Sequence, residues 1–105
     1  MIEKLLQQDR DLARAKINSE TAKIPWKELQ RYFAGGHTLL IATNLDLVDV
    51  ACAFHHDEVR IVGTWTDKHQ VCAVTADQAK NWFDNDDSLW AVVVKPWVLL
   101  QIIEH

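Results

Sequence analysis

Residues 90–100 read WAVVVKPWVLL and decide the fold of this chain. The runs Trp90–Val94 and Trp97–Leu100 are apolar at every position. Because successive side chains of a strand point to opposite faces, such runs predict strands that are covered on both faces. The intervening Lys95-Pro96 is poor chemistry for a two-residue hairpin, which favours Asn-Gly or glycine, and proline lacks an amide donor. We therefore expect a kink, a bulge or a wider turn between the two strands.

Outward from this stretch, helical and strand patterns alternate along the chain. Trp26, Leu29 and Phe33 share one helix face, and Thr75 with Gln78 has the form of a capping box. Asp9 interrupts the apolar stripe of the first helix, so we expect residues 1–11 to be a loose helical extension of a single α/β domain. We predict helices over residues 2–22, 25–34, 46–56 and 75–84, strands over 38–43, 70–74, 90–94 and 97–100, and a domain over 12–105.

The sequence of residues 58–66 is compatible with either a strand or a helix. The β-branched and aromatic side chains of this stretch favour a strand. Val59, Val62 and Trp65 nevertheless share one helix face. Local sequence slightly favours the strand. With either outcome, the fold class is α/β or α+β: a small sheet of three to four strands with packed helices.

Composition narrows the classes of function. The chain has 105 residues, 49% hydrophobic and 25% charged, which is typical of one globular domain. Residues 1–31 hold seven basic and five acidic side chains, a net charge of +2, whereas residues 32–105 hold four and ten, a net charge of −6. An acidic body disfavours nucleic acid as a partner. No apolar run approaches the roughly 20 residues of a membrane span. Two cysteines do not make a disulfide scaffold, so we expect a cytoplasmic protein.

Three segments carry a resemblance to a known family. They are ETAKIPWKEL at residues 20–29, LDLVDVA at 45–51 and LWAVVVKPWVL at 89–99. In this order they resemble the bacterial family catalogued as domain of unknown function 2288, over about residues 12–101. The resemblance implies a small bacterial intracellular protein and supplies no activity. It also implies that residues 58–67 are helical, and we follow it there against the local propensity.

Cys52, His56, His69 and Cys72 form the sharpest candidate for a metal site. Two thiolates and two imidazoles suit tetrahedral zinc, and His55 or Asp57 could replace a ligand. The cysteines have apolar neighbours, however, which favours buried free thiols and surface histidines. We therefore expect no metal and no cofactor, with a structural-zinc domain as an alternative.

Two Pro-Trp pairs are the remaining unusual feature. Proline fixes the backbone beside Trp26 and Trp97, so these indoles could form walls of a binding groove, although packing in the core is the favoured interpretation. Thr21 and Asp46 are the best-placed polar candidates for such a groove. We further predict that Trp90 lies in the core and that Trp97 is partly exposed.

These observations favour a non-catalytic binding or interaction domain. The chain contains no nucleophile elbow, phosphate-binding glycine loop or His-Glu-x-x-His motif. An enzyme of unrecognised type remains an alternative. The expected partner is a protein or a small molecule, without nucleic acid or membrane. The apolar segment Trp97–Ile103 also predicts a homodimer if it starts near a sheet edge, unless the N-terminal helix covers it.

Overall fold

The computed structural model describes residues 2–104, with five helices and five strands. The helices are α1 (Ile2–Glu20), α2 (Trp26–Ala34), α3 (Leu47–His55), α4 (Val59–Asp67) and α5 (Ala76–Asp84). The strands are β1 (Ala22–Pro25), β2 (Thr38–Ile41), β3 (Val71–Ala73), β4 (Ser88–Val94) and β5 (Trp97–Ile102).

The strands form one mixed sheet in the order β1-β4-β5-β2-β3, in which only β2 and β5 are parallel. Helices α2 and α5 cover one face, where Trp26 and Trp82 pack with Leu100. Helices α1 and α3 cover the other face. Because adjacent side chains of a strand alternate, Leu99 and Leu100 enter opposite layers, and both are 0% exposed. The fold is therefore an α+β domain whose sheet is covered on both faces.

The expectation of three to four strands missed β1, which the pattern assigned to the end of the first helix. The helix ends earlier, where the Thr21 hydroxyl donates to the Ile17 carbonyl oxygen at 2.8 Å. The next residues pair with β4, with Lys23 opposite Trp90. Pro25 is tolerated because β1 is an edge strand, where one side needs no amide donor. An edge strand of four residues that runs directly into a helix is too short to show the alternation of apolar and polar residues that predicts a strand.

The expectation of a kink, a bulge or a wider turn between β4 and β5 is wrong, because the register of the two strands is unbroken up to the turn. Val94 and Trp97 are paired, so Lys95 and Pro96 alone form the turn. The Lys95–Pro96 peptide bond is cis, and the proline is the third residue of the turn. Pro96 lies outside the ladder, which begins at Trp97, so its missing amide donor costs no strand hydrogen bond.

The structure also contradicts the position assumed for the C-terminal segment. Strand β5 lies in the middle of the sheet, between β4 and β2, and not at an edge. Helices of the same chain cover both of its faces. The argument for a homodimer through this segment therefore loses its basis, although the oligomeric state itself stays a prediction.

Other expectations have mixed outcomes. Residues 59–67 are helical, as the resemblance implied, and the half-buried Trp65 packs toward the layer of α1 and α3. The Thr75 and Gln78 capping box is present. Trp97 is half-buried, as predicted, but Trp90 is also half-buried and not a core residue. The loose extension at residues 1–11 stays a prediction. No helix within residues 2–104 is long and apolar enough to cross a membrane.

Candidate functional site

Thr21 and Asp46, the two polar candidates from the sequence, line the same cavity of about 370 Å³. Thr21 follows α1, and Asp46 precedes α3. Trp90 and Gln101 belong to the same cavity lining, from β4 and β5. We call this cavity the Trp90 groove; its complete lining is Asn18, Thr21, Asp46, Leu47, Val48, Trp90 and Gln101.

The strand register brings a cation next to the groove. Lys23 of β1 is opposite Trp90 of β4, which is opposite Gln101 of β5. Side chains that are opposite each other on neighbouring strands point to the same face of a sheet. The Lys23 Nζ lies 5.1 Å from the centroid of the Trp90 ring, within the range of a cation–π contact. The three side chains thus form a row across the sheet.

Gln101 holds the loop that carries Asp46. Its Nε2 donates to the carbonyl oxygens of Ala42 at 2.9 Å and Leu45 at 2.8 Å. This explains why one polar residue interrupts the apolar β5: its amide donates to two loop carbonyls that the sheet does not pair, of which that of Ala42 also accepts from the Leu45 backbone amide at 3.1 Å. These two hydrogen bonds from β5 therefore hold the loop that positions Asp46.

Asp46 caps α3 through one carboxylate oxygen. Its Oδ1 accepts hydrogen bonds from the backbone amides of Val48 at 2.8 Å and Asp49 at 3.2 Å, as expected for an N-cap. Within residues 2–104, neither Oδ2 of Asp46 nor Oε1 of Gln101 accepts a hydrogen bond. The groove therefore offers acceptor atoms beside an aromatic ring.

The Pro-Trp pairs do not face each other across a groove. Trp26 is 1% exposed and packs edge-to-face on Trp82, with 5.0 Å between ring centroids. Core packing, the interpretation favoured from the sequence, accounts for it. Trp97 lies beside the β4–β5 turn and contributes to the layer of α1 and α3. The sequence missed Trp90 and Gln101 as groove residues, although Gln101 was visible as the polar residue in an apolar strand.

The four residues of the zinc hypothesis are divided between α3 and the segment from the end of α4 to β3. Cys52 is in α3, His56 caps its end, His69 follows α4, and Cys72 is in β3. Within residues 2–104, no group of three or more His, Cys, Asp or Glu side chains is placed to hold a metal ion. Burial raises the pKa of the Cys52 thiol, which favours the protonated form. Cys72 is exposed, so the expectation of two buried thiols is wrong for this residue.

Two other cavities are less suited to a specific ligand. A cleft of about 580 Å³ between α2 and the sheet contains Lys27 and Arg31. These cations already contact Asp86 at 3.3 Å and the Tyr32 hydroxyl at 2.8 Å, respectively. A larger cavity of about 770 Å³ lies along α4, a helix in which no residue is buried. The Trp90 groove differs because segments 20–29, 45–51 and 89–99, which carry the family resemblance, all contribute to its lining.

Comparisons with known proteins agree with the resemblance. The family described as "Protein of unknown function (DUF2288)" matches residues 12–102. A solution NMR structure of PA1075 from Pseudomonas aeruginosa is 41% identical in sequence, covers 90% of this chain and 87% of its own, and superposes with a TM-score of 0.77. No curated protein matches the chain. The family inferred from the three segments is therefore confirmed.

Proposed function

We propose that this chain, which belongs to the DUF2288 family, is a small non-catalytic binding domain whose Trp90 groove receives a positively charged group of its ligand. One observation carries the proposal: the row of side chains at the groove already holds a cation, because Lys23 Nζ lies 5.1 Å from the Trp90 ring centroid. An indole face attracts cations, and the effect grows when water is excluded.

The polar atoms of the groove also favour a ligand that carries a positive charge. Asp46 contributes a carboxylate oxygen, Gln101 an amide oxygen and Thr21 a hydroxyl oxygen. A hydrogen bond from a charged donor to a carboxylate is about twice as strong as one between neutral groups. The body of the chain, residues 32–105, has a net charge of −6 from four basic and ten acidic side chains. This charge would attract a cationic ligand from solution.

The side chains that line the groove favour binding over catalysis. Among the residues that line the groove, Asp46 is the one with a titratable side chain. One of its oxygens is already used by the α3 cap. Among residues 2–104 its other oxygen is free, but no second titratable side chain lines the groove to pass a proton on, as general acid–base chemistry usually needs. We therefore propose a non-catalytic role, and on the sequence argument we propose the cytoplasm as its location.

In the free protein the Lys23 ammonium lies over the face of the Trp90 ring, so it competes with the ligand's cation for that face. Its side chain is exposed, so it can move away when a stronger cation binds. Arginine is the best candidate for that cation because its planar guanidinium both stacks on an aromatic ring and donates to a carboxylate. A guanidinium on a peptide or a small molecule has this chemistry.

Two substitutions should change the affinity for N-acetyl-arginine amide in opposite directions. Asp46→Asn should weaken binding about tenfold, because it removes the charge while asparagine still caps α3. Lys23→Ala should strengthen binding severalfold because it removes the competing cation. Calorimetric titration of the full chain measures both constants.

Lys95→Ala is the matched control, since it removes an equal charge from an exposed residue outside the groove lining. N-acetyl-norleucine amide, which is uncharged, should bind far more weakly than the arginine probe. Equal affinity for the two probes, or an Asp46→Asn variant that binds as well as the wild type, would refute the proposal.

A further inference from the structure

The loop between β2 and α3 borders two cavities, the Trp90 groove and the cavity along α4, which we call the α4 cavity. Leu45 lines the α4 cavity, and the next residue, Asp46, lines the groove. Ala42 of the same loop donates its amide to the Gln70 carbonyl oxygen at 2.9 Å and accepts from the Gln101 side chain at 2.9 Å. Because Gln70 lines the α4 cavity and Gln101 lines the groove, the two cavities are neighbours across one loop.

The sheet gives the distance between the two cavities. Gln101 of β5 is opposite Ile41 of β2. Ile41 is in turn opposite Val71, which follows Gln70 in the chain. Neighbouring strands lie about 4.8 Å apart, so the backbones of Gln101 and Val71 are roughly 10 Å apart. An extended chain advances about 3.3 Å per residue, so about three residues of a bound peptide span that distance.

Both cavities lie on the same side of the sheet. The side chains of Trp90, Leu45 and Trp65 all pack against the layer of α1 and α3. Trp90 belongs to the groove, whereas Leu45 and Trp65 belong to the α4 cavity. A peptide that leaves the groove across the loop therefore meets the half-buried Leu45 and Trp65, which offer it an apolar surface.

The linings of the two cavities carry opposite charges. Asp46 gives the groove a net charge of −1, whereas Arg60, Lys68 and Glu58 give the α4 cavity a net charge of +1. Glu58 precedes α4 and lies 3.7 Å from Arg10, while Lys68 follows the other end of the helix. None of the ion pairs among residues 2–104 includes Lys68, so in this part of the chain its exposed ammonium has no carboxylate within 4.0 Å.

We propose that the ligand is an extended segment of a partner protein that carries an arginine and, about three residues away, an apolar residue followed by a carboxylate. This inference rests on the proposed function, because the arginine occupies the Trp90 groove. The apolar side chain packs on Leu45 and Trp65, and the carboxylate pairs with Lys68. The α4 cavity, on a helix in which no residue is buried, does not enclose a small ligand by itself. A segment held by its arginine reaches this surface at little further entropic cost, because the two contacts are linked.

Calorimetric titration of the full chain with two pentapeptides, acetyl-RAALE-amide and acetyl-ELAAR-amide, tests the proposal against N-acetyl-arginine amide. The peptides place the leucine three residues from the arginine in the two chain directions. At least one of them should bind about tenfold more tightly than N-acetyl-arginine amide, because it adds a leucine contact and an ion pair. Replacing the leucine by serine and the glutamate by glutamine in that peptide should remove the gain.

Lys68→Ala should weaken binding of the tighter pentapeptide about threefold relative to Lys95→Ala, the size expected for an exposed ion pair. Lys95→Ala is the matched control because it removes the same charge from an exposed residue outside both linings. For N-acetyl-arginine amide, which is too short to reach the α4 cavity, the two variants should not differ.

Two results would overturn this inference: pentapeptides that bind no more tightly than N-acetyl-arginine amide, or equal effects of Lys68→Ala and Lys95→Ala on the tighter pentapeptide. In either case, binding of N-acetyl-arginine amide that Asp46→Asn weakens would still support the Trp90 groove. Absence of binding by all three probes would refute the groove as well, so the two failures are distinguishable.

Discussion

Replacing Trp26 with alanine is expected to lower the free energy of unfolding by about 3–5 kcal/mol, the range for truncation of a large aromatic residue in a core. Trp26 is 1% exposed and packs between Trp82 and Phe33, with ring centroids 5.0 Å and 5.7 Å away. It also begins α2, which covers one face of the sheet. Chemical denaturation of the variant and the wild type measures the difference.

Trp97→Ala is the matched control for this prediction. Trp97 also follows a proline, but it is half-buried beside the β4–β5 turn. Its truncation should cost clearly less, about 1–2 kcal/mol, because less apolar area returns to water. A Trp26→Ala variant that loses less than about 1 kcal/mol, or no more than the control, would contradict the assignment of Trp26 to the core.

The second large effect is expected at Gln101. Gln101→Met keeps the length of the side chain but removes the amide that donates to the carbonyl oxygens of Ala42 and Leu45. An unsatisfied polar group away from water costs about 1–3 kcal/mol, so we expect a loss of about 2 kcal/mol for the half-buried site. The same change should weaken ligand binding, because the released loop carries Asp46.

Gln7→Met is the control for this substitution. Gln7 is exposed, and among residues 2–104 its side-chain amide donates to the nearby Asp11 in α1 alone. Its replacement should change stability by less than about 0.5 kcal/mol. A Gln101→Met variant as stable as wild type would show that the loop is held by other contacts.

Local signals predicted much of the fold. The Asp46 cap and the Thr75 capping box set the starts of α3 and α5 because each depends on residues within one turn. The apolar runs around Pro96 predicted two covered strands, and the structure places both in the sheet. The helix at residues 59–67 came from the family resemblance, since its Ile, Val and Thr side chains favour a strand by themselves.

The remaining features depend on pairing between distant residues. Strand β1 is defined by its ladder to β4, which no local pattern indicates. The central position of β5 follows from its parallel pairing with β2 across a long stretch of chain. Trp90 belongs to an apolar run, so the sequence placed it in the core, but Lys23 lies over its ring at the rim of a groove. Thr21 and Asp46 were named from the sequence as polar candidates for a groove, whereas Trp90 and Gln101 on the strands were not.

Mapping the arginine probe onto the wild-type chain by ¹H–¹⁵N NMR tests the central claim most directly. The Trp90 indole Nε1–H and the side-chain amide of Gln101 should shift as N-acetyl-arginine amide is added, since both residues line the groove. The indoles of Trp26 and Trp82, which pack in the layer of α2 and α5, serve as internal controls and should not move. Shifts confined to the α2 cleft, or none at millimolar probe, would contradict the Trp90 groove as the binding site.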